Sequence, residues 1–406
     1  MLEAYTFKPL LTGTELAKAM NTKPGPWMKD ALDIVMAWQM RNPDITDPAQ
    51  AIEAVKSSKN SELPSLLATH VLELIIRPLF SQAKSESTST SKWQRAMDGS
   101  EWWKDTKNQA AMGLLRWTVS ALDEKSVEVN WKLLYPPLLK LLDDTEIHLK
   151  VQGCLLLTTL LRTIRPSFLS YTSLGPVFET TLRPFLTYLP TLTPEQDSAA
   201  LLDATLPTIA QLAEVMYSDT AAATPGTAAI EKKRMRLLND IVHEGILAPL
   251  RHAPASTYPE LGITVLSHLP PLLSKLGIHS VRHLQAILQE LSEILQNPFV
   301  LAKPDLALVT LRGLKSVIEN AWPRIGEHRA LVMLGVVKAW WRCCEEKNGQ
   351  DINNVKEGLK EIVGMMDAVL AMDDTKKEEW EKEKQDIIRA SKKMEELFGK
   401  SVMEGQ

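Results

Sequence analysis

Cysteine, glycine and aromatic residues are scarce in this chain of 406 residues. Its three cysteines, Cys154, Cys343 and Cys344, are too few for a disulfide framework and lack the spacing of a zinc motif. This usage is typical of a protein from a reducing, intracellular compartment. Only 18 glycines and 6% aromatic residues argue against a fold built from many strands and tight turns.

The motifs of common enzyme classes are also absent. The chain has no Asp-x-Asp pair of the kind that holds two metal ions, and no Gly-x-Ser-x-Gly nucleophile turn. His279 and His283 stand four residues apart, as two metal ligands on one helix face would, but no third ligand accompanies them. We therefore predict no catalytic residue, no cofactor and no metal site. An enzyme with dispersed catalytic residues remains an alternative that no motif supports.

The charge balance argues against a protein built to coat nucleic acid, because the formal net charge is -4. No basic segment followed by an apolar signal core opens the sequence, and no run of about 18 apolar residues is evident. We expect a cytoplasmic and nuclear protein that does not contact a membrane. With 45% hydrophobic residues, the chain can bury a large core.

The most informative stretch, residues 131–164, predicts two amphipathic helices joined by a tight turn. Asp143 and Asp144 break the leucine pattern, and we expect Asp144 to cap a second helix that begins near Thr145. Such a pair cannot bury both of its apolar stripes alone, so further pairs must stack on it. The order Pro136-Pro137, Asp144, Leu149-Lys150 resembles a HEAT repeat, with Gly153 where the two helices cross.

The same order of features recurs later in the chain. Pro270-Pro271-Leu272-Leu273 is followed by Gly277 and then by Val281-Arg282. Helical periodicity continues to the C-terminus, interrupted by the polar segments 57–65, 84–92 and 218–229. We predict an all-α fold, a HEAT/armadillo-like helical-repeat solenoid with a small helical N-terminal appendage. The predicted divisions are 1–60 for the appendage, 61–347 for the solenoid and 348–406 for charged C-terminal helices.

The N-terminal segment, residues 7–56, predicts three short helices, the first opened by Thr14 and Glu15. Its strings Gly-Thr-Glu-Leu, Lys-Pro-Gly-Pro-Trp-Met and Trp-Gln, which begin at residues 13, 23 and 38, resemble the C-terminal tail of CCA-adding enzymes, the tRNA nucleotidyltransferases. The catalytic carboxylates and the phosphate loop of those enzymes are absent here. In that family the tail contacts tRNA, so the resemblance implies possible RNA contacts at Lys18, Lys23, Lys29 and Arg41. Solvated lysines on a helical cap are the alternative interpretation.

Scattered strings between residues 62 and 345 carry a second resemblance. They include Tyr135-Pro136-Pro137-Leu138-Leu139, Leu276-Gly277-Ile278-His279-Ser280, Asn297-Pro298-Phe299 and the Trp-Pro-Arg-Ile string that begins at Trp322. In this order they resemble the Tel-Two-interacting protein two family, the small HEAT subunit of the TTT co-chaperone complex. The resemblance implies a scaffold that binds the large HEAT subunit and the Tel-Two subunit. Through them it implies a link to heat-shock chaperones and to maturation of phosphatidylinositol-3-kinase-related kinases (PIKKs).

The C-terminal half concentrates residue types that anchor protein interfaces, namely tryptophan and arginine. The candidate partner-binding residues are Trp322, Arg324, His328, Arg329, Trp340 and Trp341. Adjacent helical residues point about 100° apart, so Trp340 and Trp341 cannot both face the core, and the same holds for Trp102 and Trp103.

Two functional hypotheses follow from the sequence. The first is a non-catalytic scaffold subunit of the TTT complex. The alternative is an RNA-associated protein whose N-terminal segment retains tRNA affinity, although the acidic net charge makes tRNA the less favoured partner.

Overall fold

The computed structural model describes the chain in five continuous stretches, with some shorter pieces near the N-terminus. The described residues are 11–19, 28, 32, 35–36, 39, 47–50, 52, 65, 67–77, 109–218, 227–346 and 349–399. All regular structure within these residues is helical, which confirms the predicted all-α class. The predicted polar segment 84–92 and the pair Trp102-Trp103 lie outside the described residues.

The chain forms two compact units, Met1–Pro137 and Leu138–Gln406. The first unit contains α1 (Gly13–Ala19), a helical stretch over 67–77 that is π-helical at Leu72–Ile76, α2 (Gln109–Ala121) and α3 (Glu124–Val129). The helix α4 (Trp131–Leu142) follows and continues through Pro136 and Pro137. The boundary between the units falls inside α4.

Helix α1 begins two residues earlier than the sequence pattern predicts. The hydroxyl of Thr12 accepts from the backbone N–H of Glu15 at 3.4 Å, and the Glu15 carboxylate accepts from the Thr12 N–H at 2.8 Å. This reciprocal capping box makes Thr12 the cap, so the prediction that Thr14 opens the helix was wrong. The hydrogen bonds from Thr12 lower the pKa of Glu15.

The second unit continues the chain as helices joined by short turns. They are α5 (Ile147–Thr163), α6 (Pro166–Thr172), α7 (Gly175–Leu182), α8 (Glu195–Met216), α9 (Thr227–Ile241), α10 (Ala248–His252), α11 (Pro259–Ser267), α12 (Leu269–Leu276), α13 (Leu284–Gln296), α14 (Pro304–Ile325), α15 (Arg329–Glu345), α16 (Gln350–Leu370), α17 (Asp374–Ala390) and α18 (Glu395–Phe398). Among the described residues of this unit, six connections are 3-10 or π-helical: Arg183–Thr187, Val242–Leu247, Gly277–His283, Val300–Ala302, Gly326–His328 and Lys392–Met394.

These helices stack in two layers. One layer runs α5, α8, α11, α14 and α16, each packed against the helix before it. The other layer runs Arg183–Thr187, Val242–Leu247, α13, α15 and Lys392–Met394 in the same manner. Chain neighbours such as α13 and α14, or α15 and α16, pack across the layers. The second unit is therefore a helical-repeat solenoid, as the sequence predicted.

Polar side chains tie successive repeats together at their ends. The Glu195 carboxylate at the start of α8 accepts hydrogen bonds from the backbone N–H groups of Glu260 and Leu261, at 2.9 and 3.2 Å. These donors belong to the first turn of α11, where a helix has unpaired N–H groups and favours a negative charge. Asp203 further along α8 binds His268 at 2.8 Å. The start of α11 is thus capped by its neighbour in the layer.

The turn between α4 and α5 differs in detail from the prediction. Helix α5 begins at Ile147 with Glu146 at the cap, and the Glu146 side chain makes no capping bond. Asp144 is buried and accepts from the N–H of Glu146 at 2.9 Å. The carboxylate therefore stabilises the turn before the helix, and the prediction that Asp144 caps a helix starting near Thr145 was wrong. Two residues, Thr145 and Glu146, separate Asp144 from the first residue of α5.

Gly153 lies where α5 crosses α4, as the sequence predicted. A Cβ at this position would come within 2.9 Å of Leu142 Cδ2 and 3.2 Å of the Leu142 backbone nitrogen. Only glycine permits this approach without moving the helices apart.

Lys150 occupies the most unusual position in this first repeat. The residue is only 6% exposed, and its ammonium donates to the backbone carbonyl of Leu142 at 3.1 Å. The same ammonium lies 4.6 Å from the ring centre of Phe185 in the next repeat. Burial lowers the pKa of Lys150, and the charges of Asp143 and Asp144 oppose that shift. One side chain therefore joins the end of α4, the turn and the second repeat.

The second proline motif folds differently at its basic residue. Helix α12 carries Pro270 and Pro271 in its first turn and ends at Gly277, whose φ of +53° favours glycine. A 3-10 segment, Gly277–His283, takes the place of the first turns of an α-helix. Arg282 is therefore exposed, whereas Lys150 at the corresponding place in the first motif is buried.

One apolar stretch differs in the structure from what its composition suggests. By length and average hydropathy alone, Pro259–Gln296 reaches the range of a membrane-crossing helix. In the structure it consists of α11, α12, a 3-10 segment and α13, with breaks at His268 and Gly277. Its leucines, including Leu266, Leu273 and Leu288, are buried against the rest of the second unit.

The charged C-terminal residues continue the array. Helix α16 packs on α14 and α15, and α17 packs on α16. Trp380, Met394 and Leu397 are each about 2% exposed, so the charged segment also buries an apolar stripe. The predicted boundary near residue 60 lies outside the described residues, and the division into 1–60, 61–347 and 348–406 stays a prediction.

We expect Lys150→Ala to lower the free energy of unfolding by about 1–3 kcal/mol, because it leaves the buried Leu142 carbonyl unpaired and removes a packed aliphatic stem. Arg282→Ala, the matched change in the second motif, should alter it by less than about 0.5 kcal/mol because the side chain is exposed. Urea denaturation followed by circular dichroism measures both. Equal midpoints for Lys150→Ala and wild type would contradict the linking role of Lys150.

Candidate partner-binding surface

Trp322 and Arg324 are exposed at a kink in α14. Ala321 has φ of -121° and ψ of 21°, which is non-helical, and the chain resumes the helix at Trp322-Pro323. The non-helical Ala321 divides the helix just before this pair. Trp322 is 49% exposed, and Arg324 pairs on the surface with Glu327 alone among the described residues, at 3.0 Å. An exposed pair of this kind contributes about 0–1 kcal/mol, so Arg324 is free to change partners.

Arg329 has a structural partner inside the chain. Its guanidinium donates to Glu383 and Glu379 of α17, with Nη2 at 2.9 Å from an oxygen of each. The hydrogen bond to Glu383 is the main cause that raises the pKa of Arg329. Arg329 therefore fastens α17 to the start of α15. His328 beside it is half-buried.

Trp340 and Trp341 separate as the helical geometry predicted. Trp340 is fully buried, and its indole N–H donates to the backbone carbonyl of Lys393 at 2.8 Å. Trp341 is 39% exposed, donates to Glu345 at 2.6 Å and has the Lys393 ammonium 4.5 Å from its ring centre. Trp340 thus belongs to the core and is removed from the predicted contact surface, while Trp341 remains on it.

Leu334 is a surface residue that the sequence analysis missed. It lies seven residues before Trp341 on α15, so both side chains project from the same helix face, and both are exposed. The spacing alone could have paired them, but a leucine inside an apolar helix is read as core. We call Trp322, Arg324, Leu334 and Trp341 the C-terminal exposed set.

The N-terminal candidates for RNA contact are only partly described. Lys18 is exposed in the last turn of α1. Lys23, Lys29 and Arg41 lie outside the described residues. One exposed lysine in a helix turn is equally expected of a solvated surface, so the structure does not favour either interpretation.

The histidine pair does not form a metal site within the described residues, where no cluster of three or more potential ligands occurs. His283 Nε2 donates to Asn239 Oδ1 at 2.7 Å, and burial lowers the pKa of His283. Cys154 is buried in the core, and burial raises the pKa of its thiol to about 12. This agrees with the interpretation of Cys154 as a small apolar core residue.

Comparison with known proteins gives one long match. The sequence pattern of the Tti2 family matches residues 20–302. TEL2-interacting protein 2 of Saccharomyces cerevisiae is 27% identical over 237 residues, which are 55% of this chain and 54% of the relative. The chain therefore spans about half the length of that relative. The family match ends before Trp322, so the C-terminal exposed set lies beyond it. No solved structure matches.

The other matches are short. Nucleotidyltransferase lcsQ of Purpureocillium lilacinum is 54% identical over 57 residues, 14% of this chain and 10% of that protein. tRNA nucleotidyltransferase cca2 of Schizosaccharomyces pombe is 42% identical over 41 residues, 10% of this chain and 8% of that protein. The chain therefore shares a short segment with parts of those enzymes. This agrees with the resemblance noted for residues 7–56.

The two neighbouring tryptophans of α15 offer a matched pair of substitutions. Trp340→Ala should lower the free energy of unfolding by about 3–5 kcal/mol, because it empties a buried aromatic site. Trp341→Ala should cost far less, since much of the ring already contacts solvent. Guanidinium denaturation of each variant measures the difference. Similar losses for both would show that Trp341 also belongs to the core.

Proposed function

Because the chain belongs to the Tti2 family, we propose that it is a non-catalytic scaffold subunit of the TTT co-chaperone complex. The observation that carries the proposal is the family match over residues 20–302. The name of the yeast relative describes a protein that interacts with TEL2. In this proposal the repeats are of the HEAT type, and the partners are the large HEAT subunit and the Tel-Two subunit.

The architecture supports a scaffold role. A two-layer helical array presents long helix faces to a partner and needs no catalytic cleft to do so. The described residues contain no cluster of potential metal ligands, and their two most buried thiols, Cys154 and Cys343, have pKa values that burial raises to about 12 and about 11. A thiol of this kind is a poor nucleophile near neutral pH.

The C-terminal exposed set is the docking surface that we propose for the large HEAT subunit. Tryptophan and arginine are the residue types that most often dominate binding energy at interfaces. Trp322, Leu334 and Trp341 leave apolar area in water that a partner would cover, and Arg324 has only a weak surface pair to exchange. Assembled in this way, the complex would support maturation of PIKKs together with heat-shock chaperones, in the cytoplasm and the nucleus.

The second candidate function is RNA binding by the N-terminal segment. The short matches to nucleotidyltransferases favour it, and exposed Lys18 belongs to that segment. The net charge of -4 opposes it, since a polyanion would meet an acidic protein at long range.

The docking proposal predicts that Trp322→Ala and Arg324→Ala each weaken the affinity for the purified large HEAT subunit by about tenfold or more. The control is Tyr171→Ala, an exposed aromatic residue of α6 outside the proposed surface. Biolayer interferometry gives the dissociation constants, and melting curves show whether each variant is folded. Folded variants that bind at wild-type strength would move the interface elsewhere, and a wild type that fails to bind would overturn the scaffold role itself.

The RNA alternative predicts tight binding of fluorescently labelled tRNA that weakens steeply as salt rises. Lys18→Glu should then reduce the affinity at low salt, while the same change at exposed Lys377, in the second unit, should not. Electrophoretic mobility shifts at several salt concentrations test this. Binding that is weak at all salt concentrations, or unaffected by Lys18→Glu, would remove the RNA alternative.

A further inference from the structure

A broad groove of about 820 Å³ lies between α9 and the 3-10 segment Gly277–His283. Its basic and imidazole side chains come from both walls: Lys232, Arg236, His243, His279, Arg282 and His283. All of them except His283 are exposed to solvent. This concentration of cations is unexpected in a protein whose net charge is -4.

The carboxylates that line the groove are already paired with arginines. Glu231 accepts two hydrogen bonds from Arg234, both at 2.8 Å. Asp240 accepts a hydrogen bond from Arg183, which also lies 3.8 Å from Glu244. Among the described residues, both acids therefore hydrogen-bond to arginines outside the groove and not to the groove's own cations.

Three cations of the groove have no comparable partner among the described residues. Lys232, Arg236 and Arg282 make no hydrogen bond and no ion pair with any residue that the structure describes. Burial lowers the pKa of His283, and the positive charges of Arg282 and His243 lower it further. An anion entering the groove would therefore meet unpaired donors in a positive potential.

Arg282 differs from Lys150 in its role in the fold. In the first proline motif the basic residue Lys150 is buried and joins three elements, but in the second motif the 3-10 backbone leaves Arg282 at the groove. Serine or alanine would satisfy the same backbone. The exposed guanidinium is therefore available for a ligand.

The shape of the groove limits the ligand. The wall formed by α9 and the start of the segment Val242–Leu247 extends from Glu231 to His243, about 18 Å at 1.5 Å per residue, which is far longer than one phosphate group. An extended peptide covers about 3.3 Å per residue, so roughly five residues would fill this length. Among the described residues, the groove has no Phe, Tyr or Trp on which a base could stack, which disfavours single-stranded nucleic acid.

We propose that this groove binds an extended acidic peptide segment of a partner protein, through its carboxylate or phosphate side chains. Arg236 on one wall and Arg282 on the other act as the main donors, and Lys232 adds charge at one end. This site is separate from the C-terminal exposed set and does not depend on the proposed docking of the large HEAT subunit.

The test uses the full chain and three fluorescein-labelled ten-residue peptides in anisotropy titrations. One peptide is rich in glutamate and aspartate, one carries phosphoserines in place of most acids, and one has glutamine and asparagine at the same positions. The acidic or the phosphorylated peptide should bind at least tenfold more tightly than the neutral one, with an affinity that falls as salt rises. Which of the two binds better identifies the source of the negative charge.

Arg236→Glu and Arg282→Glu should each weaken that binding about tenfold or more, because each removes a charge-assisted contact. Arg312→Glu, the same charge change at an exposed position of α14 outside the groove, is the control. Arg236→Gln and Arg282→Gln retain a polar side chain without the charge and should give intermediate losses of affinity. They replace the glutamate variants if the reversed charge disturbs folding. The proposal fails if the three peptides bind alike, if the groove variants bind as wild type, or if a short RNA displaces the acidic peptide at lower concentration.

Discussion

Each helix pair in the second unit leaves an apolar stripe that only the next pair can cover. This constraint accounts for the order of the two layers, from α5 and Arg183–Thr187 through α14 and α15. It also explains why the charged C-terminal helices pack on the array. Trp380, Met394 and Leu397 bury the last stripe, and Arg329 holds α17 in place through Glu379 and Glu383.

Polar contacts between repeats restrict how the apolar stripes can slide past each other. The Glu195 carboxylate binds the first N–H groups of α11, and the Lys150 ammonium binds the carbonyl at the end of α4 while it faces the Phe185 ring of the next repeat. A shift by one turn would leave a buried charge or a helix end without partners, which is costly. Dispersion and burial supply the cohesion, and these directional bonds select one register.

The sequence predicted the helical class, the repeat organisation and the crossing at Gly153. Each of these depends on a local signal, such as helical spacing, a small residue or a proline. The errors arose where the outcome depends on distant partners. The segment after Gly277 is a 3-10 helix where an α-helix was expected, because of long-range packing. Long-range packing also decides that Trp340 is the buried member of its pair. Exposed Leu334 was missed because leucine in an apolar helix gives no sign of which face meets the core. The assignment of Asp144 erred by two residues, within the usual uncertainty of helix ends.

The placement of the cysteines gives this array built-in reporters of its own opening. Cys154 lies in the first helix pair of the second unit, and Cys343 lies in α15 near the other end, both sealed from solvent. A buried thiol reacts with an alkylating reagent only after local unfolding exposes and ionises it, so its reaction rate measures the opening free energy of its own repeat. The half-exposed Cys344 beside Cys343 provides the reference for a thiol that needs less opening. Comparison of the alkylation rates of Cys154 and Cys343 would therefore show which end of the array opens first.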